Sequence, residues 1–229
     1  MPVPDFLPVV AIDGPAASGK SSTARMVAVA LGFRQADSGA MYRAVTAARI
    51  RKGGDPATWT EASVLDAASG VSVVAQERVF GVRLAGEVID EELRGPAVTA
   101  SVSLIARMRG VRLWANARMR ECALVGPIVV DGRDMGTVVF PDAVLKVWLI
   151  ADTVERARRR SIEMLGRSPS DEELAREATD LERRDRGDSA QTQPAADAVV
   201  VDTTRLTQAE QVAQIVALAK TRLRGERAE

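Results

Sequence analysis

The sequence predicts a three-layer α/β protein in which helices cover both faces of a five-stranded parallel sheet. Five short apolar segments, near residues 9–13, 33–36, 127–130, 144–150 and 198–201, alternate with segments of helical periodicity. The segment 144–150 is an almost unbroken apolar run, which is typical of a strand covered on both faces. With 229 residues, 46% of them hydrophobic, the chain can form one large domain with insertions or two small domains. We expect ligands to bind at the carboxyl ends of the strands.

Composition excludes several classes of site. Lys and Arg total 31, as do Asp and Glu, so the net charge is zero, which argues against broad nucleic-acid binding. The chain has no His and one Cys, Cys122, which excludes histidine bases, histidine metal sites and disulfides within one chain. Residues 1–8 lack the positive charge of a signal peptide, and no apolar run approaches membrane-spanning length. We therefore expect a cytoplasmic protein without nucleic-acid or membrane partners. We expect a monomer because the chain can close its own core and shows no obvious exposed apolar face.

The segment from Gly14 to Ser21 fits G-x-x-x-x-G-K-[ST], the phosphate-binding P-loop. A predicted strand precedes it and a helical pattern follows, and this context disfavours a chance glycine-rich turn. Glycines let successive N–H groups point inward, Lys20 is placed to reach the β- and γ-phosphates, and the Ser21 hydroxyl is placed to ligate Mg²⁺. The predicted donor-binding residues of the loop are Gly14, Pro15, Ala16, Ala17, Ser18, Gly19, Lys20, Ser21 and Ser22.

The rest of the chain adds a small antiparallel insert and several helices. Residues 71–93 alternate apolar and polar side chains, which predicts an antiparallel meander. Residues 185–193 are polar and aperiodic, so we expect a mobile loop there. Capping residues and apolar periodicity predict six further helices. Two of them cover residues 61–68 and 98–123, and a third extends from Ser170 to Arg184. The other three begin at Ser38, at Asp152 or Thr153, and at Thr207.

Three motifs in order closely resemble the bacterial cytidylate kinases, the (d)CMP kinases. They are GPAASGKSS at 14–22, DSGAMYR at 37–43 and DGRDMGTVVFPD at 131–142. The resemblance extends from about residue 9 to about residue 220 and implies ATP as the phosphate donor, Mg²⁺ as cofactor, and CMP and dCMP as substrates. It also implies a P-loop nucleoside-kinase fold with three parts, namely a core (1–37, 101–156 and 193–229), a monophosphate-binding region (38–100) and an arginine-bearing lid (157–192).

The second and third motifs supply the expected acceptor site. Ser38 and Arg43 are expected to hold the CMP phosphate, although Ser38 can also be read as a helix cap only, and the resemblance assigns Arg133 to the same phosphate. Asp134 is expected to read cytosine, because a carboxylate accepts from its 4-amino group. By the resemblance, Ser103 and Arg112 also contact cytosine; the bland alternative for Arg112 is a solvated helix face.

The lid is expected to add further charged groups. One turn apart, Arg156 and Arg160 are expected over ATP, one against the adenine and one near the phosphates. The resemblance places Arg184 on the transferring phosphoryl group and Asp188 on the CMP ribose hydroxyls. Many relatives carry an arginine where this chain has Gln191, so either another arginine, such as Arg186, substitutes or CMP is held less tightly.

The predicted chemistry is in-line phosphoryl transfer. The attacking CMP oxygen is already anionic, so the reaction needs positive charge from the catalytic residues Lys20, Arg133 and Arg184 rather than a general base. Asp131 lies at the end of its strand. It is either an acid that holds Mg²⁺ through water or a structural residue. Two alternatives remain, a kinase for UMP or another small acceptor, and a P-loop switch protein that transfers no phosphate.

Overall fold

A computed structural model describes residues 7–189 and 192–225 of the chain. Its main sheet has five parallel strands in the order β2-β6-β1-β7-β8. The strands are β1 (Val9–Asp13), β2 (Arg34–Asp37), β6 (Ile128–Gly132), β7 (Leu145–Ile150) and β8 (Val199–Asp202). The predicted α/β fold class and the five predicted strands are therefore confirmed.

Helices cover both faces of this sheet. Along the central strand β1, Val9 and Ala11 pack into one core while Val10 and Ile12 pack into the other, because successive strand residues point to opposite faces. One core lies under α1 (Lys20–Leu31) and α9 (Gln208–Leu223). The other lies under α2 (Ser38–Arg51), α3 (Glu61–Ala68) and the helices that follow the small sheet.

The small antiparallel sheet is also confirmed, with the order β3-β4-β5. Its strands are β3 (Val71–Ala75), β4 (Phe80–Leu84) and β5 (Glu87–Val88), and the short helix α4 (Asp90–Leu93) follows. The Gln35 amide on β2 donates to the Arg78 carbonyl at 2.9 Å, and Arg34 Nε donates to the Gln76 carbonyl at 2.8 Å. These bonds attach the insert to the edge of the main sheet.

The prediction of one helix over 98–123 is wrong, because two helices form instead. They are α5 (Pro96–Ala106) and α6 (Arg109–Val125), and Met108 between them has extended backbone angles (φ −73°, ψ 120°). Leu104, expected to face inward, is 42% exposed. The bend turns Ser103 on α5 and Arg112 on α6 toward the same cleft.

The segment expected to form the lid contains two helices, α7 (Thr153–Leu165) and α8 (Asp171–Asp188). The prediction that α8 ends at Arg184 is wrong, since helix continues through four residues that were expected to be a mobile loop. Asp185 in this last turn bonds to the P-loop and to Arg156, which holds the turn in place. In the described part of the chain, none of the helices has the length and apolar character needed to cross a membrane.

Candidate active site

A cleft of about 270 Å³ lies at the carboxyl ends of β1, β2 and β6. Its walls come from the P-loop, the start of α2, the α5–α6 bend, the loop after β6, and the lid helices. Most of the predicted site residues line it together: Ala16, Ala17, Lys20, Ser21, Ser38, Arg43, Ser103, Arg112, Arg133, Asp134, Arg160, Arg184 and Asp188. The remaining loop residues, Gly14, Pro15, Ser18, Gly19 and Ser22, belong to the same turn but do not line the cleft.

The P-loop turns tightly because two of its glycines have no side chain. A Cβ at Gly14 would lie 2.2 Å from the Leu149 carbonyl oxygen, so only glycine allows this approach to β7. Gly19 adopts the left-handed conformation (φ 85°) where α1 begins. Lys20 Nζ donates to the Pro15 carbonyl at 2.6 Å. Burial and the neighbouring Arg133 lower the pKa of Lys20 to about 7, and the charges of Asp131, Asp13 and Asp37 act against that shift.

A second group of polar side chains lies beside Lys20. Ser21 Oγ donates to Asp131 Oδ2 at 2.5 Å, and Gln35 Nε2 donates to Asp131 Oδ1 at 2.9 Å and to the Ser21 carbonyl at 3.0 Å. Burial, reinforced by the charge of Asp37, raises the pKa of Asp131 to about 8. Gln35 was not predicted, because its two partners are distant in sequence and only the fold brings them within reach.

The oxygen atoms of this group suit Mg²⁺. Ser21 and Asp131 offer a hydroxyl and a carboxylate, the hard ligands that Mg²⁺ prefers alongside substrate phosphates and water. In the part of the chain that the structure describes, no cluster of three or more acidic or cysteine side chains could hold an ion without other ligands. The donor set therefore fits a magnesium ion carried in with a polyphosphate and does not form a closed metal cage.

At the start of α2 the expected helix cap is wrong by one residue. Asp37, not Ser38, caps the helix, since its carboxylate accepts from the Ala40 amide at 3.2 Å. Ser38 Oγ instead donates to the Asp131 carbonyl at 2.8 Å. One turn along α2, Arg43 donates to the Leu93 carbonyl at 3.1 Å and to Thr99 Oγ1 at 3.3 Å, which directs its guanidinium into the cleft.

The loop after β6 brings Arg133 and Asp134 to the cleft, where their side chains have different partners. Arg133 Nη1 donates to the Gly14 carbonyl at 2.7 Å, and Nη2 lies 3.3 Å from Asp188 Oδ2. Asp134 is 4% exposed and accepts a short hydrogen bond from Arg112 Nη2. Burial raises the pKa of Asp134, while the Arg112 guanidinium acts against that rise. A carboxylate and a guanidinium thus line the cleft as a bonded pair.

Asp13 fixes the shape of this loop and was not predicted as part of the site. Its carboxylate accepts from the Met135 amide at 3.0 Å and from the Gly136 amide at 2.7 Å. Asp13 is 5% exposed, and burial raises its pKa. The only local signal was an acid at the end of an apolar strand, which does not identify its partners.

Helices α7 and α8 each contribute an arginine to the cleft. Arg160 on α7 lines the cleft with its Nε 2.7 Å from Glu177 Oε1, and Arg184 on α8 lines it too. Burial lowers the pKa of Arg184, and the nearby charges of Arg160 and Arg43 lower it further. The guanidinium groups of Arg43, Arg160 and Arg184 therefore lie near one another in the cleft, and their combined positive charge favours an anion between them.

Arg156 does not occupy the position expected of a residue that stacks on a base. It is 5% exposed, and its Nη1 donates to the Ala16 carbonyl at 2.9 Å and to Asp185 Oδ2 at 2.7 Å. The Arg156 side chain therefore bonds to the backbone of the P-loop, while Arg160, one turn later on α7, lines the cleft. Contact between Arg156 and ATP stays a prediction.

Gln191, which stands where many relatives carry an arginine, lies outside the described residues. Arg186, the substitute considered for the arginine of the relatives, is exposed and does not line the cleft. Of the two alternatives, replacement by Arg186 is therefore not supported by the placement of this residue. Thr192, one residue beyond Gln191, does line the cleft.

Comparison with known proteins identifies the family. The family model described as cytidylate kinase matches residues 10–221. A cytidylate kinase of Thermus thermophilus is 44% identical over 209 residues, 91% of this chain and 97% of that protein. Those of Pelotomaculum thermopropionicum and Chlorobaculum tepidum are each 42% identical, over 92% and 89% of this chain and 95% and 89% of theirs. The chain therefore belongs to the cytidylate kinase family of nucleoside monophosphate kinases.

Proposed function

We propose that the protein transfers the γ-phosphoryl group of ATP to CMP and dCMP, forming CDP and dCDP. One observation carries this proposal: a single cleft is lined by the P-loop lysine, by the Asp134–Arg112 pair and by Arg43, Arg133, Arg160 and Arg184. A site of this composition suits a polyphosphate and a pyrimidine monophosphate bound end to end.

The pair formed by Asp134 and Arg112 suits cytosine in particular. An ionised carboxylate accepts only, so Asp134 pairs with the 4-amino donor of cytosine and opposes the 4-oxo acceptor of uracil. Arg112 holds the Asp134 carboxylate and adds donors for the acceptor atoms of the base, as the Ser103 hydroxyl does beside it. Asp188 is the proposed partner of the two ribose hydroxyls of CMP. In dCMP one of these hydroxyls is missing, and the other remains to contact Asp188.

The arginines that line the cleft suit the acceptor phosphate. Ser38, Arg43 and Arg133 are the proposed ligands of that phosphate, and the two guanidinium groups bind it most strongly when they bond in bidentate fashion. The backbone from Gly14 to Ser22 is the proposed cradle of the ATP phosphates, and Arg160 is proposed near them. Arg156, beneath the loop, supports Ala16 from below.

Ser21 and Asp131 are the residues proposed to hold Mg²⁺, Ser21 directly and Asp131 through water. When bound, the ion neutralises charge on the donor phosphates. The remaining stabilisation of the transferring group comes from side chains of the protein. Lys20, Arg133 and Arg184 surround the transferring group with positive charge that is fixed in place before reaction, and the anionic acceptor oxygen attacks without a base.

Lid closure is proposed to keep water from the γ-phosphate until the acceptor is bound. Helices α7 and α8 cover the P-loop and carry Arg160 and Arg184 into the cleft. The division into core, monophosphate-binding region and lid, the monomeric state and the cytoplasmic location belong to the same proposal. Size-exclusion chromatography with light scattering checks the monomer.

The test is a coupled assay of ADP formation with Mg-ATP and one acceptor at a time, CMP, dCMP, UMP or AMP. Turnover that requires CMP or dCMP supports the proposal. Preference for UMP would keep the mechanism and remove Asp134 from its role. If no acceptor stimulates ADP formation, the P-loop switch reading replaces the kinase reading.

A further inference from the structure

The lid helix α8 meets the main chain of the P-loop through one carboxylate, that of Asp185. The Ala16 amide donates to Asp185 Oδ1 at 3.2 Å, and Arg156 Nη1 donates to Asp185 Oδ2 at 2.7 Å. The same Arg156 nitrogen donates to the Ala16 carbonyl at 2.9 Å. Ala16, Arg156 and Asp185 thus form a closed ring of hydrogen bonds that joins the P-loop, α7 and α8.

This ring is built around a buried cation. Arg156 is 5% exposed, and its other nitrogens donate to the Ala151 carbonyl at 3.2 Å and to Thr153 Oγ1 at 3.0 Å. A buried guanidinium needs a counter-charge, and Asp185 supplies one at ion-pair distance. Beneath the ring, Ala16 packs with the fully buried Leu181 of α8, so apolar contact and ion pair hold the same junction.

The position of Asp185 on α8 links this junction to the cleft. Arg184 precedes it directly and Asp188 follows it by three residues, close to one helical turn, and both line the cleft. Asp188 in turn lies 3.3 Å from Arg133, which bonds to the Gly14 carbonyl at 2.7 Å. Fastening Asp185 to Ala16 therefore sets where Arg184 and Asp188 stand relative to the P-loop.

We propose that Asp185 is a positioning residue that couples closure of the lid to the shape of the P-loop. It occupies the Ala16 amide, so that the other amides of the proposed cradle bind the donor phosphates, and it holds α8 so that Arg184 reaches the transferring group. This inference rests on the proposed kinase function but assigns Asp185 a role of its own: without it, the lid no longer excludes water while transfer occurs.

The experiment compares Asp185→Asn with Asp180→Asn in the full-length protein. Asp180 lies on the same helix, is exposed and pairs with exposed Arg183 at 2.7 Å, so it matches the change of charge without touching the junction. For each variant, two rates are measured with Mg-ATP, ADP formation with saturating CMP and ADP formation without an acceptor. In parallel, NMR measures hydrogen exchange of the Ala16 amide, and thermal unfolding measures stability.

For Asp185→Asn we expect CMP-dependent turnover to fall about tenfold or more, as for misplaced reacting groups, with a higher ratio of acceptor-free hydrolysis to transfer. The Ala16 amide should exchange faster than in the wild type. Asp180→Asn should match the wild type in all three readouts. Equal behaviour of the two variants, or lower turnover with an unchanged ratio and unchanged Ala16 exchange, would overturn the proposal.

The Ala16 measurement also decides the matter should Asp185→Asn not fold. In the wild-type protein this amide should then be protected from exchange, and an unprotected Ala16 amide would refute the role of Asp185. Failure of the kinase function itself is recognised separately, because it removes CMP-dependent ADP formation from the wild-type protein without affecting the exchange of Ala16.

Discussion

Arg112, on α6, donates a hydrogen bond to the carboxylate of Asp134, which follows β6, and both side chains line the cleft. The contact fixes which oxygen of Asp134 remains for a ligand. Burial raises the pKa of Asp134, and the Arg112 guanidinium acts against that rise.

Replacing Asp134 with Asn should therefore weaken the selection of cytosine. Asn can turn its amide to donate to uracil, and it no longer offers Arg112 a charge. We expect kcat/KM for CMP to fall roughly 10- to 150-fold, which corresponds to about 1.5–3 kcal/mol for a hydrogen bond to a charged group. The CMP-to-UMP ratio of kcat/KM is the measurement. Asp142→Asn, an exposed acid at the end of the same motif, is the control and should leave that ratio unchanged.

The sequence was sufficient for the strands and the P-loop because their signals are local. An apolar run flanked by glycine, or G-x-x-x-x-G-K-S after such a run, needs no distant partner to be recognised. The break between α5 and α6 carries no such signal. Met108 is neither Gly nor Pro, and the apolar spacing continues across it, so packing against the rest of the fold decides the bend.

Long-range hydrogen bonds account for the rest of what was missed. Asp13 bonds to residues after β6, Gln35 bonds to Asp131, and Asp185 bonds to Ala16, all across large separations in sequence. The cap of α2 could not be chosen either, because Asp37 and Ser38 are adjacent and both are good capping residues. Helical spacing put Arg156 and Arg160 on one face but could not tell which end of that face is buried.

Lys20→Met should separate activity from stability. The ammonium is buried beside Arg133, and this environment lowers its pKa to about 7, so the charge costs free energy in the folded protein. We expect kcat to fall about 10²- to 10³-fold, as when one stabilising group is removed from a transition state. The free energy of unfolding in denaturant should stay the same or increase.

The matched control for Lys20→Met is Lys52→Met, which removes a lysine that pairs with exposed Asp66. That variant should keep wild-type turnover. Loss of stability in Lys20→Met in proportion to its loss of activity would contradict a role in the reaction and indicate a structural one.

Cys122 should resist thiol reagents as long as the protein is folded. Its side chain is 3% exposed, and burial, aided by the charge of Glu121, raises the pKa of the thiol to about 12. At pH 8 the thiolate fraction is then lower than that of an ordinary cysteine by roughly a thousandfold. Labelling by iodoacetamide, followed by mass spectrometry, should be slow in the native protein and fast in denaturant. Rapid labelling of the native protein would show that α6 does not pack as described.

Gly14→Ala should destabilise the protein more than Gly32→Ala, although both replace a glycine with positive φ. At Gly32 (φ 72°) nothing lies within 4 Å of an added Cβ, so the cost is the backbone strain alone, about 1–2 kcal/mol. At Gly14 (φ 155°) the Cβ would lie 2.2 Å from the Leu149 carbonyl oxygen of β7, and relief of the clash must move the P-loop or the strand. We expect a further loss of about 1–3 kcal/mol, typical of overpacking, together with weaker ATP binding. Urea titrations of the two variants give the difference, and equal losses would mean that the P-loop does not approach β7 as closely as the structure shows.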